Sequence, residues 1–382
     1  MVLPFERYFA QERHDLERWS ACLLSELTTG QSSCQPYDLS QGYPVSVFGL
    51  CVLYSIGLVL FIRRFVAIPV AKLALTISYR QAPLAARPES LKTREFRHKK
   101  FVGSFVEFWL YTINFIVGGL LLYKQPWNWP SKEWWQDTPT RDVDASVMIF
   151  GMFYAARYCA MLFSLTVLEP RKKDFFEMLL HHLVTVALVN LAMAYGYVRI
   201  ALVVMVVFDA ADPFLHMAKM INYMKQAAGS QGDFPSYVWF ISQITDAFLA
   251  CFAIVFTVTR IFVYSYIVYS VSIESYRYTR CAKEECAIQE GLNNVSFAHH
   301  ICVLLIWIIN FLQWFWFKLL VKVIYRTVVE GVSEDNRSDA SSQEDGDVKG
   351  KTSTKPQARV VPLGTETTSD GESEGEDDKK TK

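Results

Sequence analysis

The chain has 382 residues, 52% of them hydrophobic and 15% aromatic, and its formal net charge is zero. The mean hydropathy of +0.16 is modest because a polar tail follows a long apolar region. Apolar runs of about 20 residues, the length that spans a bilayer as a helix, fill most of residues 45–325. This pattern excludes a soluble domain of ordinary size, and we expect no nucleic-acid partner.

Seven apolar runs predict an all-α, polytopic membrane protein with about seven transmembrane helices. In chain order they are Val45–Ile62, Gly103–Tyr123, Ser146–Leu168, Met178–Tyr197, Ile200–Met220, Tyr237–Tyr269 and Phe297–Tyr325. The last two are long enough to tilt or to continue beyond the bilayer. The first 44 residues lack the apolar stretch of a signal peptide, so we expect the first helix to direct insertion.

The distribution of basic residues predicts the orientation in the membrane. Residues 63–101 carry ten Lys and Arg and only two acids. Because Lys and Arg concentrate in short cytosolic loops, we expect this segment, residues 169–177 and 221–236, and the C-terminal tail in the cytosol. The N-terminus and the loops 124–145 and 272–296 would then face the lumen.

These assignments divide the chain into four parts. Residues 1–44 are expected to form a lumenal N-terminal segment, and residues 45–101 the first transmembrane helix with a basic cytosolic linker. Residues 102–326 hold the other six transmembrane helices. Residues 327–382 cannot bury enough apolar surface to fold, which predicts a disordered, acidic cytosolic tail.

The loops and the tail carry three further signals. Cys281 and Cys286 lie in a predicted lumenal loop, where a disulfide is permitted and two free thiols are the alternative. Four serines in the tail have an acid three residues on, the pattern that acid-directed kinases favour, so we expect a phosphoprotein: Ser341, Ser342, Ser369 and Ser373. The chain ends in KKTK, a dilysine pattern of the kind that retrieves proteins to the endoplasmic reticulum.

Ionisable residues are concentrated in two consecutive transmembrane helices, within DFFEMLLHHLVTVALV (174–189) and FDAADPFLHMAKM (208–220). From the helical rise, the His181–His182 pair lies roughly 6–8 Å from the cytosolic edge, Asp212 roughly 10 Å and Asp209 about 15 Å. The short connection at 195–199 predicts antiparallel neighbours, so histidines and carboxylates share the cytosolic half of the membrane. Adjacent histidines point about 100° apart on a helix, so only one can face the centre.

Several chemistries fit these residues. A histidine oriented by a carboxylate could act as a general base or attack an acyl group and form an acyl-imidazole. A hydrogen-bonded network that holds two helices together is the structural alternative. Zinc binding fits less well, because adjacent histidines on one helix rarely converge on one ion. Pro213 is expected to kink the fifth helix beside Asp212.

The sequence KDFFEMLLHHLVTVALV, followed by RIALVVMVVFDAADPFLHMAKMINYM, resembles the longevity-assurance motif of ceramide synthases, which are TLC-domain membrane proteins. The shared features are the HH pair, the D-x-x-D on the next helix and the A-K-M-x-N-Y that closes it. The pair Thr259-Arg260 and the stretch SEDNRSD (333–339) are also similar to the family. The resemblance covers roughly residues 100–340, with departures at Phe208 and His216, where many animal members have His and Glu.

This resemblance implies a TLC-type bundle over residues 102–326 and N-acylation of a sphingoid base by fatty acyl-CoA in the endoplasmic-reticulum membrane. The catalytic residues implied are His181, His182, Asp209 and Asp212. The substrate-binding residues expected are Arg171, Lys172, Lys173, Lys219, Asn222 and Arg260. Acyl-CoA would be a co-substrate, with no other cofactor and no metal. The chain would contact membrane lipid and, since family members often pair, form a homodimer or a heteromer with related subunits.

Other buried charges have plainer interpretations. Arg157, Arg260 and Asp246 are expected to form structural ion pairs, and His299 and His300 to lie at the lumenal interface. Two non-enzymatic classes compete with the acyltransferase: a non-catalytic TLC-domain lipid sensor or membrane-biogenesis factor, and a transporter that uses the buried acids for protons. The intact HH and D-x-x-D favour the enzyme.

Overall fold

A computed structural model describes residues 45–80, 90–136, 138–139, 142–169, 171, 173–228, 235–279 and 293–325, together with positions 17, 21, 24, 25, 28 and 37–38. The helices in these residues are α1 (Val45–Ile62), α2 (Ile68–Arg80), α3 (Leu91–Lys124), α4 (Ala145–Phe163), α5 (Phe175–Ala194), α6 (Val198–Asp209), α7 (Asp212–Ala228), α8 (Pro235–Phe256), α9 (Tyr264–Tyr269), α10 (Ser275–Tyr278) and α11 (Asn293–Tyr325). The predicted all-α class is confirmed. Strands β1 (Tyr37–Asp38) and β2 (Asp142–Val143) form one short antiparallel pair.

Several helices join end to end through single π-helical turns. The segment Arg63–Ala67 links α1 to α2, Thr257–Val263 links α8 to α9, and Ser270–Glu274 links α9 to α10. Six helical stretches in the described part of the chain are long and apolar enough to cross a membrane: Val47–Arg80, Leu91–Lys124, Ala145–Leu168, Phe175–Ala194, Tyr237–Tyr278 and Phe297–Tyr325. The protein is therefore a polytopic α-helical membrane protein, as predicted.

The fifth predicted span differs from expectation because it is broken. Helix α6 ends at Asp209 and α7 begins at Asp212, with Ala210 and Ala211 between them. Pro213 is the second residue of α7, where its missing N–H would have had no partner within the helix. The predicted kink is thus an interruption, and it leaves two carboxylates at facing helix ends within the bundle.

The predicted basic linker is largely helical. Helix α1 continues into α2, so the combined Val47–Arg80 stretch has 34 residues. Helix α3 also has 34 residues, and its first turn is capped by Ser90, whose hydroxyl oxygen accepts a hydrogen bond from the Thr93 backbone N–H at 3.2 Å. A 34-residue helix is about 51 Å long, well beyond a hydrocarbon core of about 30 Å.

Helix α4 is the centre of the bundle. In its most apolar window 78% of the residues are buried, against 22–39% in the other five candidate spans. Gly151 allows α5 to approach, because a Cβ there would lie 2.5 Å from the Met193 methyl group. Gly118 of α3 meets Phe150 of α4 in the same way, at 2.8 Å. Helix α4 thus contributes side chains to the bundle interior on all sides, including the face next to the broken helix.

Candidate functional site

Asp209, the last residue of α6, is held by Arg157 of α4. One guanidinium nitrogen donates to both carboxylate oxygens at 3.1 Å, and the Tyr154 hydroxyl donates to Oδ1 at 3.1 Å. Asp209 is 1% exposed and Arg157 4%. Three tyrosine rings surround the guanidinium at 4.6–4.7 Å, those of Tyr111, Tyr154 and Tyr158. This buried charge is compensated by an ion pair, a hydroxyl and aromatic faces, which such burial requires.

Asp212, the first residue of α7, is held by Arg260 of the π-helical turn after α8. The Arg260 Nη2 donates to Asp212 Oδ2 at 2.5 Å and to the Phe208 carbonyl oxygen at 2.6 Å. The break in the helix leaves such a carbonyl at the end of α6 without a helical partner. Arg260 therefore joins the end of α6 to the start of α7, where the carboxylate also meets the positive end of the α7 dipole.

The two histidines lie beside these ion pairs, on α5. His181 is 6% exposed and His182 2%. Both rings contact Tyr158, with centroid distances of 5.9 Å for His181 and 5.4 Å for His182. Because Tyr158 also covers the Arg157 guanidinium, the histidine pair and Asp209 belong to one buried cluster.

His181 has a second set of contacts, with Thr185, Phe208 and Trp316. Its Nδ1 lies 3.5 Å from Thr185 Oγ1, and its ring meets Phe208 and Trp316 with centroids at 6.2 Å and 5.4 Å. His181 therefore occupies the space between α5, α6 and α11. This arrangement separates the directions of the two neighbours, as their 100° offset requires.

An apolar cavity follows along the same face of α5. The cavity has a volume of about 30 Å³, and α5 lines it with Leu188, Val189 and Ala192. Leu188 is seven residues and two turns beyond His181, so the two share a face, roughly 10 Å apart. The remaining lining residues are Trp135, Tyr197, Ile200, Ala201, Val204, Val271, His299, Cys302 and Ile306.

Polar contacts lie behind the lining residues Trp135 and His299, which the sequence did not predict. His299 was expected at the interface but is 8% exposed, and its Nε2 lies 3.1 Å from Ser275 Oγ. The Trp135 indole nitrogen donates to Ser270 Oγ at 2.8 Å. His300 is exposed, in keeping with an interfacial position. Trp135 and His299 together form the end wall of the cavity.

A polar pair, His216 and Glu107, lies between the buried cluster and the protein surface next to α3. His216 Nδ1 lies 3.1 Å from Glu107 Oε2, and the Glu107 side chain is 29% exposed. The His216 ring stacks on Tyr111 at 5.5 Å, and Tyr111 packs on Arg157. The sequence offered one signal for this pair, an acid inside the second apolar run. The tyrosines gave none, because tyrosine is common throughout the chain.

The predicted substrate-binding residues do not form one group. Arg171 and Lys173 are exposed just before α5, and the Arg171 guanidinium lies 5.2 Å from the Phe175 ring centroid. Lys219 and Asn222 are half-buried on α7. Arg260 lies apart from them in its ion pair with Asp212. Outside the described residues lie Lys172, Cys281, Cys286, Ser341, Ser342, Ser369 and Ser373.

Two further expectations concern buried charges and metals. Arg157 and Arg260 form the ion pairs expected of them, whereas Asp246 Oδ1 has no hydrogen-bond partner within the described residues. In the same part of the chain, no group of three or more His, Cys, Asp or Glu is arranged to hold a metal ion.

Comparison with known proteins gives a consistent set of relatives. A family model described as "TLC domain" matches residues 100–322. Ceramide synthase 4 of Bos taurus is 26% identical over 275 residues, covering 71% of this chain and 62% of that protein. Ceramide synthase hyl-2 of Caenorhabditis elegans is 24% identical over 306 residues, covering 77% and 83%. Human ceramide synthase 5 is 27% identical over 252 residues, covering 65% and 57%. The match to the bovine protein thus spans less than two thirds of that protein's length.

Proposed function

Because this chain belongs to the TLC-domain family, we propose that it is a ceramide synthase that transfers a fatty acyl group from acyl-CoA to the amine of a sphingoid base. The observation that carries this proposal is the buried His181–His182 pair beside two arginine-held carboxylates at a helix break. Buried ionisable groups are costly in a membrane bundle and are concentrated where chemistry is done. The names of the relatives support the same reaction.

His181 is the better candidate for the residue that receives the acyl group, because the cavity residues Leu188 and Ala192 lie on its face of α5, whereas Val189 alone lies on the face of His182. A neutral imidazole with its hydrogen on Nδ1 can donate to Thr185 and keep the Nε2 lone pair for attack. Attack on the thioester carbon breaks the C–S bond, and CoA leaves with the proton that the imidazolium releases. The amine of the sphingoid base then attacks the acyl-imidazole, the bond to His181 breaks, and the amine proton returns to the ring.

His182 points to a different side of α5 and is the candidate base that takes the first proton of the ammonium group, so that the neutral amine can attack and pass its second proton to His181. Direct general-base catalysis, without an acyl-enzyme, uses the same two histidines. Asp209 and Asp212 would act as fixed negative charges that attract the cationic amine and hold it near the histidines. Arg157 and Arg260 hold both carboxylates in position in the substrate-free protein.

The apolar cavity marks the path proposed for the acyl chain, whose entry would require the lining side chains to move apart from the present volume of about 30 Å³. From His181 to Ala192 the helix rises by roughly 16 Å, so a chain attached at His181 would extend along α5 to the wall formed by Trp135 and His299. CoA would remain at the predicted cytosolic end of α5. Arg171, Lys172, Lys173, Lys219 and Asn222 are the candidates to hold its phosphates and pantetheine arm.

We further propose that the protein resides in the endoplasmic-reticulum membrane with its C-terminus in the cytosol. The basic residues of the predicted cytosolic loops support this orientation. We also propose a homodimer or a heteromer with related subunits. A disulfide between Cys281 and Cys286 and phosphorylation of the tail serines are proposed as well.

A mass-spectrometric experiment tests the mechanism. The purified chain is incubated with acyl-CoA alone and digested. The acyl-enzyme route predicts a peptide from α5 that is heavier by one acyl group, absent in His181→Ala and retained in His182→Ala. Ceramide formation without any acylated peptide would favour direct general-base catalysis. No amide product across a panel of acyl chains would favour the alternative, a non-catalytic lipid sensor or membrane-biogenesis factor.

A further inference from the structure

The strongest feature outside the candidate site is the groove between α2 and the start of α3, called here the α2–α3 groove. Its walls are Lys72, Leu75, Thr76 and Tyr79 of α2 and Leu91, Arg94, Glu95 and His98 of α3. It is open and holds about 710 Å³ of empty space, including solvent. Both helices continue past the length that a bilayer needs, so the groove lies near the membrane surface rather than in its middle.

The charge of the groove favours an anion. Lys72 and Arg94 are exposed on opposite walls, and residues 63–101 as a whole carry ten Lys and Arg against two acids. The carboxylate within the groove, that of Glu95, is paired with Lys99 at 2.9 Å. Among the described residues, positive charge therefore dominates the space between the helices.

One wall of the groove is preorganised by Tyr79. The Arg94 guanidinium lies 4.7 Å from the ring centroid, and Arg97 donates from Nη1 to the Tyr79 hydroxyl at 2.8 Å. Arg97 is only 8% exposed, so the phenol is fixed from the protein side. The side-chain Nε2 of His98 is buried and has no hydrogen-bond partner within the described residues. Arg94 thus offers hydrogen-bond donors beside a rigid aromatic ring.

The groove does not face the candidate site. His98 and Glu107 are nine residues apart on α3, which is two and a half turns, so they lie on opposite sides of the helix. Glu107 belongs to the side that meets His216 and the buried cluster. A ligand in the α2–α3 groove is therefore distinct from the substrates proposed above.

The exposed surface of α2 indicates which class of anion the groove would bind. Val66 of the preceding π-helical turn and Val70, Leu73 and Ile77 of α2 follow one another at helical spacing and are 36–66% exposed. An exposed apolar stripe beside basic side chains is typical of a helix that lies in the lipid interface, and basic clusters next to a transmembrane helix attract anionic headgroups. We propose that the α2–α3 groove binds the phosphate headgroup of an anionic membrane phospholipid, with the apolar stripe of α2 in contact with its acyl region.

A binding experiment on the purified full chain in a zwitterionic detergent tests this proposal. The probe is a fluorescent short-chain phosphatidylinositol phosphate, and unlabelled phosphatidylcholine, inorganic phosphate and CoA serve as competitors. We expect the Lys72→Ala/Arg94→Ala variant to bind roughly 25-fold more weakly, a factor of about five for each basic side chain near an anionic surface. Phosphatidylcholine, phosphate and CoA should compete poorly.

The matched control is Lys92→Ala/Lys322→Ala, which removes two exposed basic residues from outside the groove. We expect it to bind like the wild type. Equal loss in both double variants would indicate unspecific attraction and overturn the site, as would unchanged binding by Lys72→Ala/Arg94→Ala. Strong competition by phosphate or CoA would assign the groove to a soluble anion instead. Equal elution of all three proteins by size exclusion shows that folding is retained, and the readout does not depend on acyltransfer.

Discussion

The ion pair between Arg157 and Asp209 yields the sharpest test of how the broken helix is held. In Arg157→Met, Asp209 loses its cation while only 1% of the residue is exposed. Removing one partner of a buried ion pair typically destabilises a protein by about 3–5 kcal/mol, whereas replacing both by groups of similar volume is often neutral. We therefore expect Arg157→Met to lower the melting temperature strongly and Arg157→Met/Asp209→Leu to recover most of the loss.

The assay is thermal unfolding of the purified variants in one detergent, followed by size-exclusion chromatography of the heated samples. Activity on the same preparations separates stability from function. Because Asp209 is proposed to attract the amine, the double variant should stay inactive although it is stable. A double variant as unstable as Arg157→Met would refute the compensation that we infer. A stable and fully active double variant would remove Asp209 from the mechanism.

The remaining predictions concern the cavity and one close helix contact. Trp135→Ala enlarges the end of the cavity and should shift the preferred acyl-CoA toward longer chains, whereas Ala192→Phe should shift it toward shorter ones. Product analysis with acyl-CoAs of increasing chain length measures both shifts. Chain-length profiles identical to that of the wild type would contradict the assignment of the cavity. Gly103→Ala should destabilise by about 1–3 kcal/mol, because its Cβ would lie 2.7 Å from a Glu169 carboxylate oxygen. In the control Gly119→Ala, the added Cβ meets nothing within 4 Å. This variant should be neutral or stabilising, as expected for Gly→Ala inside a helix. Equal shifts of the melting temperature in Gly103→Ala and Gly119→Ala would argue against the close contact at Gly103.

The sequence predicted the helical class and most of the membrane spans, because residues that face lipid must be apolar and such runs are visible in the hydropathy of the sequence. It did not predict the interruption between Asp209 and Asp212. The run Ile200–Met220 is apolar enough to be taken for one helix, and the break depends on Arg260, which is distant in sequence and binds both ends. The helical form of residues 63–80 and 91–101 was also missed, since positive charge indicates the side of the membrane but not the conformation.

The candidate site was predicted in part. Helical rise and the short loop after α5 were sufficient to predict that His181, His182, Asp209 and Asp212 lie near one another in the fold. The sequence gave no means to pair Arg157 with Asp209 or Arg260 with Asp212, because such pairs depend on how α4 and the turn after α8 pack. The role of Tyr158, which contacts both histidines and Arg157, becomes evident only from the packing.

The proposed enzyme is tested most directly by supplying the purified chain with sphinganine and a panel of acyl-CoAs and quantifying the amide product by mass spectrometry. The wild type should form dihydroceramide with at least one chain length, and both His181→Ala and His182→Ala should lose nearly all of this activity while eluting as folded protein. Absence of product from the wild type at every chain length would contradict the acyltransferase. Undiminished activity in both variants would contradict the role of the histidines.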